Sequence, residues 1–225
     1  MIYKIIKRSQ YELLALENCA RKFPAHIHKR LCAIAVSRGE KYITVGAQTT
    51  KCVKGDLFIV PPFTAHSCYS TAKTNYSVLS ICLDDSVDYN ALSSDLSQVG
   101  FDVKNAIESI KNAINDFKRK TSDFAGNLLS YIDEESVNGL TIAQIAKKAG
   151  YSPDHISRLF KNAIGISLHR YIILERIRRA KHRAKRDLIS EIAQDSGFYD
   201  QSHFIRHFKR YEGVTPKAYY QSLLP

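Results

Sequence analysis

Paired cysteines are missing from this sequence. Its five cysteines (Cys19, Cys32, Cys52, Cys68 and Cys82) are odd in number, fall within the first 82 residues and show no CxxC spacing. A secreted disulfide framework is denser and even-numbered, so that class is excluded. A signal core is missing too. The N-terminus reads MIYKIIKRSQYELL, with charge where a signal peptide needs an apolar run. No apolar window approaches membrane-spanning length, and a cytoplasmic location is the expectation. Charge asymmetry is also absent: 17 Lys+Arg face 12 Asp+Glu up to Phe124, and 16 face 10 from Ala125 onward. A net charge of +11 favours a polyanionic partner, but no basic tail concentrates it.

What is present divides the 225 residues by texture. The first third reads as β. IAVSRGEKYITVG, TTKCVKGDLFIVPP and YSVLSICLD carry Val, Ile, Tyr and Phe between Gly and Pro, as a sandwich or small barrel does. From Val99 the period changes. In VKNAIESIKNAINDFKRK, Val103, Ile110 and Phe117 are spaced by sevens within one apolar stripe. That stripe suits either packing on its own domain or a dimer seam. From Asp123 helices dominate. The expected fold class is α+β: a β-barrel over 1–98, a linker helix over 99–122 and an all-α domain over 123–225.

The all-α part repeats itself. IAKKAGYSPDHISRLFKNAIGISLHRYI, from Ile145, lies over IAQDSGFYDQSHFIRHFKRYEGVTPKAYY, from Ile192. Ile145-Ala146, Gly150 and Tyr151 recur 47 residues later as Ile192-Ala193, Gly197 and Phe198. After one inserted residue, Phe160-Lys161, Gly165 and Tyr171 recur 48 residues later as Phe208-Lys209, Gly213 and Tyr219. A fixed offset means one supersecondary unit used twice.

The unit can be derived from its residues. Thr141 with Gln144 makes a capping box for a helix through Ala149. Gly150 permits a sharp turn. Ser152 then caps a second helix with Pro153 in its first turn and Ile156, Leu159 and Phe160 inward, and Gly165 stops it. In the second copy Asp200 is the cap, Phe204 and Phe208 face inward, and Gly213 is the stop. Helix, tight turn, helix is the helix-turn-helix, whose second helix enters a DNA major groove. The motifs span about 140–164 and 188–212. On the outward faces lie His155, Ser157, Arg158 and Lys161, and Gln201, Ser202, His203, Arg206 and Lys209. Arg suits guanine, Gln suits adenine and Ser either. Lys161 and Lys209, with Lys217, suit phosphates. Between the copies SLHRYIILERIRRAKHRAKRD keeps Ile172, Ile177 and Ala180 on one side, ringed by Arg170, Arg176, Arg178, Arg179, Arg183 and Arg186. Such a connecting helix would hold the two recognition helices about 34 Å apart, one turn of duplex.

On these residues the segment 123–225 resembles the DNA-binding domain of the arabinose-regulator (AraC/XylS) family of bacterial transcription factors. The Gly-Phe, Ser-x-Phe, Phe-Lys, Gly-x-Thr-Pro and Tyr of the second copy follow the family signature. The resemblance implies a sequence-specific transcriptional regulator in which Asp154, Ser157, Arg158, Gln201, Ser202 and Arg206 face bases. Double-stranded DNA is then the partner, a homodimer the expected form, and RNA polymerase a further partner if the chain is an activator. Asp154 departs from the usual pattern and favours a cytosine amino group or forfeits its contact. Arg183-Ala184 stands where the family has a Leu pair.

The N-terminal part is similar to the cupin-like (jelly-roll) sensor domain of that family, through FPAHIHKRLCAIAVSRGE and GDLFIVPPFTAH. His26, His28 and His66 match metal-ligand positions of metal-binding cupins, Cys32 stands where those have Glu, and Phe63 replaces a Gly. The expectation is no cofactor and no metal, with His26, His28, Cys32 and His66 lining a pocket for an unknown small-molecule effector. The alternatives are a metal set made of those four residues, a cupin enzyme fused to a DNA tether, a purely dimerising barrel, and a redox sensor acting through Cys32. The enzyme lacks its carboxylate ligand, and a non-enzymatic protein is expected.

Overall fold

The structure, a computed structural model, describes residues 2–70, 76–83, 86–98, 103–118, 129, 132, 141–182 and 188–223. The chain divides into two units, Met1–Thr121 with Ser222–Pro225, and Ser122–Gln221. Each unit has its own architecture.

In the first unit nine strands form two antiparallel sheets among the described residues. One sheet runs β1 (Ile2–Lys7), β2 (Tyr11–Cys19), β9 (Tyr76–Leu83), β4 (Leu31–Arg38), β7 (Leu57–Val60). The other runs β3 (Phe23–His26), β8 (His66–Tyr69), β5 (Glu40–Val45), β6 (Gln48–Val53). Between β4 and β5 the chain changes sheets at Gly39, whose φ of 73° is open to glycine at no steric cost.

Strand β4 explains its own sequence. Leu31 through Val36 are all buried, because the five-stranded sheet is covered on both faces. Successive side chains point to opposite sides. Cys32, Ile34 and Val36 join Phe23, Ile43, Cys52 and Cys68 in the core between the sheets. Leu31, Ala33 and Ala35 join Leu13, Ile81 and Leu83 on the other face, against two helices, α1 (Tyr89–Gln98) and α2 (Val103–Lys118). An uninterrupted apolar run is what two buried faces require.

Helix α1 begins where Asp88 Oδ1 accepts from the Asn90 and Ala91 N–H groups. Leu92 and Leu96, one turn apart, are its buried face. Asp95, also buried, takes two hydrogen bonds from Arg8, at 3.0 and 3.1 Å, and one from Tyr11 Oη at 2.7 Å. The Arg8 guanidinium holds the Asp95 carboxyl below its ordinary range, while loss of water pushes Tyr11 up to about 12. The helix read as a linker runs Val103–Lys118, and its Ile110 and Ile114 are buried in this core with Leu92 and Leu96. The side chains of Val103 and Phe117, the outer members of its heptad, lie outside the described set.

The second unit has six helices among its described residues: α3 (Ile142–Lys148), α4 (Pro153–Ile164), α5 (Leu168–Lys181), α6 (Ile189–Asp195), α7 (Gln201–Glu212) and α8 (Pro216–Gln221). Their apolar stripes converge. Phe160, Tyr171, Phe204, Phe208 and Tyr219 are fully buried, and Phe208 meets both Phe204 and Tyr219 edge to face. Helix α5 buries Leu168, Tyr171, Ile172, Ile173, Ile177 and Ala180. Its end is tied to α7 by Lys181 Nζ on Glu212 Oε2 at 3.0 Å, and to α8 by a hydrogen bond from Tyr220 Oη to the Ala180 carbonyl. The β-rich first unit and helical second unit are the cupin-like and helix-turn-helix parts that the sequence leads one to expect.

Candidate nucleic-acid interface and barrel histidine cluster

The 47-residue repeat recurs bond for bond. After α3 the Gly150 φ is 72°, and Tyr151 N–H donates to the Ala146 carbonyl at 2.9 Å. After α6 the Gly197 φ is 83°, and Phe198 N–H donates to the Ala193 carbonyl at 2.9 Å. Both are left-handed glycine caps that reverse the chain sharply. The next helices are capped alike. Ser152 Oγ accepts from His155 N–H at 3.2 Å, and Asp200 Oδ1 accepts from His203 N–H at 2.6 Å. Both end on left-handed glycines, Gly165 (82°) and Gly213 (91°), whose N–H groups donate to Lys161 and Lys209. Only the start of the first helix differs. Thr141 and Gln144 satisfy each other's backbone reciprocally, whereas Leu188 has no side-chain cap and receives only Glu191 on its N–H.

Helices α4 and α7 therefore sit at the same place in two copies of one motif. Each buries one face: Ile156, Phe160 and Ile164 on α4, Phe204 and Phe208 on α7. Leu159 is partly buried. The opposite faces carry the residues expected there. Asp154, His155, Arg158 and Lys161 are exposed on α4, and Gln201, Ser202, Arg206 and Lys209 on α7, with Lys217 exposed on α8. Two placements refine the sequence reading. Ser157 is partly buried and its Oγ donates to the Pro153 carbonyl at 2.6 Å, so its proton is committed to its own helix. His203 is partly buried, edge-on to Phe198 and His207. Burial first, then the Arg206 charge, lowers its pKa. Burial and the neighbouring His203 push His207 down to about 4. Both rings are held neutral beside the arginines.

The turns also expose aromatic rings that composition did not flag. Tyr199 is 92% exposed immediately before the Asp200 cap. Tyr151 is 47% exposed and stacks on His155, with ring centroids 5.1 Å apart. Arg176 of α5 reaches the second turn: a Cβ on Gly197 would lie 3.2 Å from its Nε. Arg183, Ala184 and Arg186 lie outside the described residues, and with them the departure from the Leu pair.

In the first unit the three expected histidines come together. His26 and His66 are register partners on β3 and β8, and His28 follows β3. Ring centroids are 4.3 Å apart for His26–His66, 4.9 Å for His26–His28 and 5.2 Å for His28–His66. Backbone carbonyls engage two of them through Nδ1: Pro24 with His26 at 2.8 Å and Thr64 with His66 at 3.0 Å. Desolvation and the adjacent imidazoles hold His26 well below its ordinary pKa and His66 near 4. The turn that delivers His66 passes through Phe63, which takes a left-handed φ of 58° and donates its N–H to the His28 carbonyl at 2.7 Å. A glycine would adopt that conformation without strain.

Cys32 joins the cluster and brings a residue the sequence did not flag. Its register partner across β4 and β9 is Cys82. Both sulfurs belong to the core between the sheets, and Cys82 Sγ lies 3.6 Å from His28 Nδ1. The Cys82 hydrogen bond, helped by the His28 ring and against the opposing effect of burial, draws the Cys32 thiol well below its ordinary range. Burial raises Cys68 and Cys52 instead. Two donor groups result, His26–His28–His66 and His28–Cys32–Cys82, each with ligand atoms within 4.8 Å of one another. Neither contains a carboxylate, so three imidazoles with a Glu, the set of metal-binding cupins, is not what these residues form. Lys41 is buried nearby, its ammonium 5.5 Å from the centre of the Phe23 ring.

Comparison with known proteins agrees with both halves. Residues 11–126 match the AraC-like ligand binding domain, and residues 145–222 match a helix-turn-helix domain. The chain is 35% identical over 97 residues to the HTH-type transcriptional regulator YtdP of Bacillus subtilis, covering 42% of this chain but 13% of that one. It is 34% identical over 100 residues to the transposon Tn10 TetD protein of Escherichia coli, covering 44% of this chain and 72% of TetD. In fold it is similar to ToxT of Vibrio cholerae in an unsaturated-fatty-acid-bound crystal structure, with a TM-score of 0.61, 13% identity and 96% of both chains covered. No helix among the described residues is long and apolar enough to cross a membrane. With its ligand-binding-type barrel and paired helix-turn-helix motifs, the chain belongs to the AraC family of transcriptional regulators.

Proposed function

We propose that this chain is a sequence-specific DNA-binding regulator of transcription whose output responds to a small ligand taken up by the barrel unit. One observation carries the DNA-binding half. Two motifs with the same glycine turns, caps and hydrogen bonds each bury the apolar face of their second helix and turn a cationic, hydrogen-bonding face to water. Base contacts are assigned to Arg158, Gln201, Ser202 and Arg206, with Asp154 reading a cytosine amino group and Ser157 accepting rather than donating. Lys161, Lys209 and Lys217 hold phosphates, and Tyr199, exposed just before α7, adds an aromatic hydroxyl. A homodimer on DNA, and contact with RNA polymerase if the chain activates, complete the proposal. Recovery of genome fragments by the full chain tests it: a shared motif with two half-sites supports it, and recovery that tracks fragment length alone refutes it.

The effector half rests on a barrel that gathers His26, His28, Cys32 and His66 at one place beside buried Lys41. Two desolvated imidazoles, His26 and His66, held below their ordinary pKa inside the barrel suit a ligand-binding role. Binding would act by shifting populations between states of different DNA affinity. Thermal melting against a metabolite panel, including unsaturated fatty acids and metal ions, tests it. Stabilisation by no member would refute it.

A further inference from the structure

We infer that His28, Cys32 and Cys82 form a thiolate–imidazole site for one thiophilic d10 cation, of which zinc(II) is the probe, with His66 the neighbouring imidazole. This deepens the effector reading at the same residues, and it rests on four observations.

First, Cys32 and Cys82 are directly opposed on neighbouring strands with both sulfurs turned into the core between the sheets. Residues paired across an antiparallel ladder are held in place by its hydrogen bonds, so the pair is fixed by backbone rather than by chance rotamers. Second, donor separations fit a shared ion. With Zn–S near 2.3 Å and Zn–N near 2.0 Å, two ligands on one tetrahedral zinc sit about 3.4–3.8 Å apart. Cys82 Sγ and His28 Nδ1 are 3.6 Å apart, and all three atoms of the Cys32–Cys82–His28 group lie within 4.8 Å.

Third, a buried lone pair lies on the ring next to His28, its centroid 5.2 Å away. His66 is 2% exposed, and its Nε2 has no hydrogen-bond partner. Its Nδ1 lies 3.0 Å from the Thr64 carbonyl, which can only accept. The proton must therefore sit on Nδ1, leaving Nε2 as a bare acceptor. A buried acceptor without a donor costs about 1–3 kcal/mol, and a Lewis acid removes that cost. An imidazole whose far N–H is held by a backbone carbonyl is also the usual arrangement of a metal ligand. Fourth, the donors are soft. Two sulfurs and an imidazole with no carboxylate select zinc or copper(I) over the harder iron(II), manganese or magnesium. The histidines alone do not make this distinction; Cys82, from a strand outside both cupin-like segments, does.

The test uses the full chain purified without a histidine tag under reducing conditions. Zinc is counted by elemental mass spectrometry, and the site is then reloaded with cobalt(II). We expect about one zinc per chain and a cobalt–thiolate charge-transfer band. Cys82→Ser should weaken the band and lower zinc affinity by more than about tenfold, and Cys32→Ser with Cys82→Ser should abolish the band. Should the variants misfold, zinc must still slow alkylation of Cys82 in the unaltered chain, read residue by residue by mass spectrometry. No stoichiometric metal, equal binding in the double serine variant, or a Cys32–Cys82 disulfide that persists under reduction would overturn the inference. If metal is refused while an organic ligand raises the melting temperature, this site fails and the effector reading stands.

Discussion

Alanine at the two turn glycines separates backbone strain from packing. Gly150 and Gly197 both hold left-handed φ values, 72° and 83°. A Cβ there costs about 1–2 kcal/mol for conformation alone, so both substitutions should destabilise the second unit. Their surroundings differ. A Cβ on Gly150 meets nothing within 4 Å, whereas one on Gly197 lies 3.2 Å from Arg176 Nε. The Arg176 side chain is itself partly buried, and desolvation lowers its pKa. It must give by a few tenths of an ångström, which adds about 1 kcal/mol at the lower end of overpacking costs. Gly150→Ala should thus lose about 1–2 kcal/mol and Gly197→Ala about 2–3 kcal/mol. Urea unfolding of the full chain, followed by tryptophan-independent circular dichroism of the helical transition, measures both; the sequence has no Trp. Equal losses would show that Arg176 does not brace the second turn. A neutral Gly150→Ala would refute the turn geometry itself.

Four further outcomes follow from named contacts. Arg206→Ala should cost about 1–3 kcal/mol of specific DNA affinity and relax one base position, while Lys209→Ala should weaken all sequences alike and flatten the salt slope by about one unit; identical behaviour of the two contradicts the sorting. Asp200→Ala, by removing the cap on His203 N–H, should cost about 1 kcal/mol in the same unfolding assay. Asp95→Ala should destabilise the first unit by about 2–3 kcal/mol by stranding Tyr11 and Arg8, read as a shift in its melting temperature. His207 titrates near 4 when folded and near 6.5 when unfolded. The unfolded chain therefore binds more protons between those values, and stability falls as pH drops through that window. The full shift corresponds to about 3 kcal/mol, which partial exposure roughly halves to about 1–2 kcal/mol. His207→Gln should flatten that part of the stability–pH curve, and an unchanged slope would contradict it.

The second unit was readable almost residue by residue because its signals are local. A left-handed glycine, a Ser or Asp cap and an Ile-Ala pair act within one or two turns, and the 47-residue offset let each copy vouch for the other. The first unit was less open. Strands β1 and β2 and helix α1 drew no notice, the last because YNALSSDLSQ shows only Leu92 and Leu96 at helical spacing. The heptad of α2 suited two packings equally, and only tertiary structure shows Ile110 and Ile114 buried among Leu92, Leu96 and the sheet. Cys82 was invisible for a different reason. It lies 50 residues from Cys32, and no period in the sequence says which strand will lie beside which. Ser157 likewise read as a free hydroxyl until its bond to Pro153 appeared.

Hydroxyl-radical footprinting of the full chain on its tightest genomic fragment tests the central claim most directly. Two recognition helices held by α5 should protect, for each protomer bound, two short windows on one face of the duplex, centred about one helical turn, or 10 bp, apart. A single protected window, or protection that ignores sequence, would contradict it.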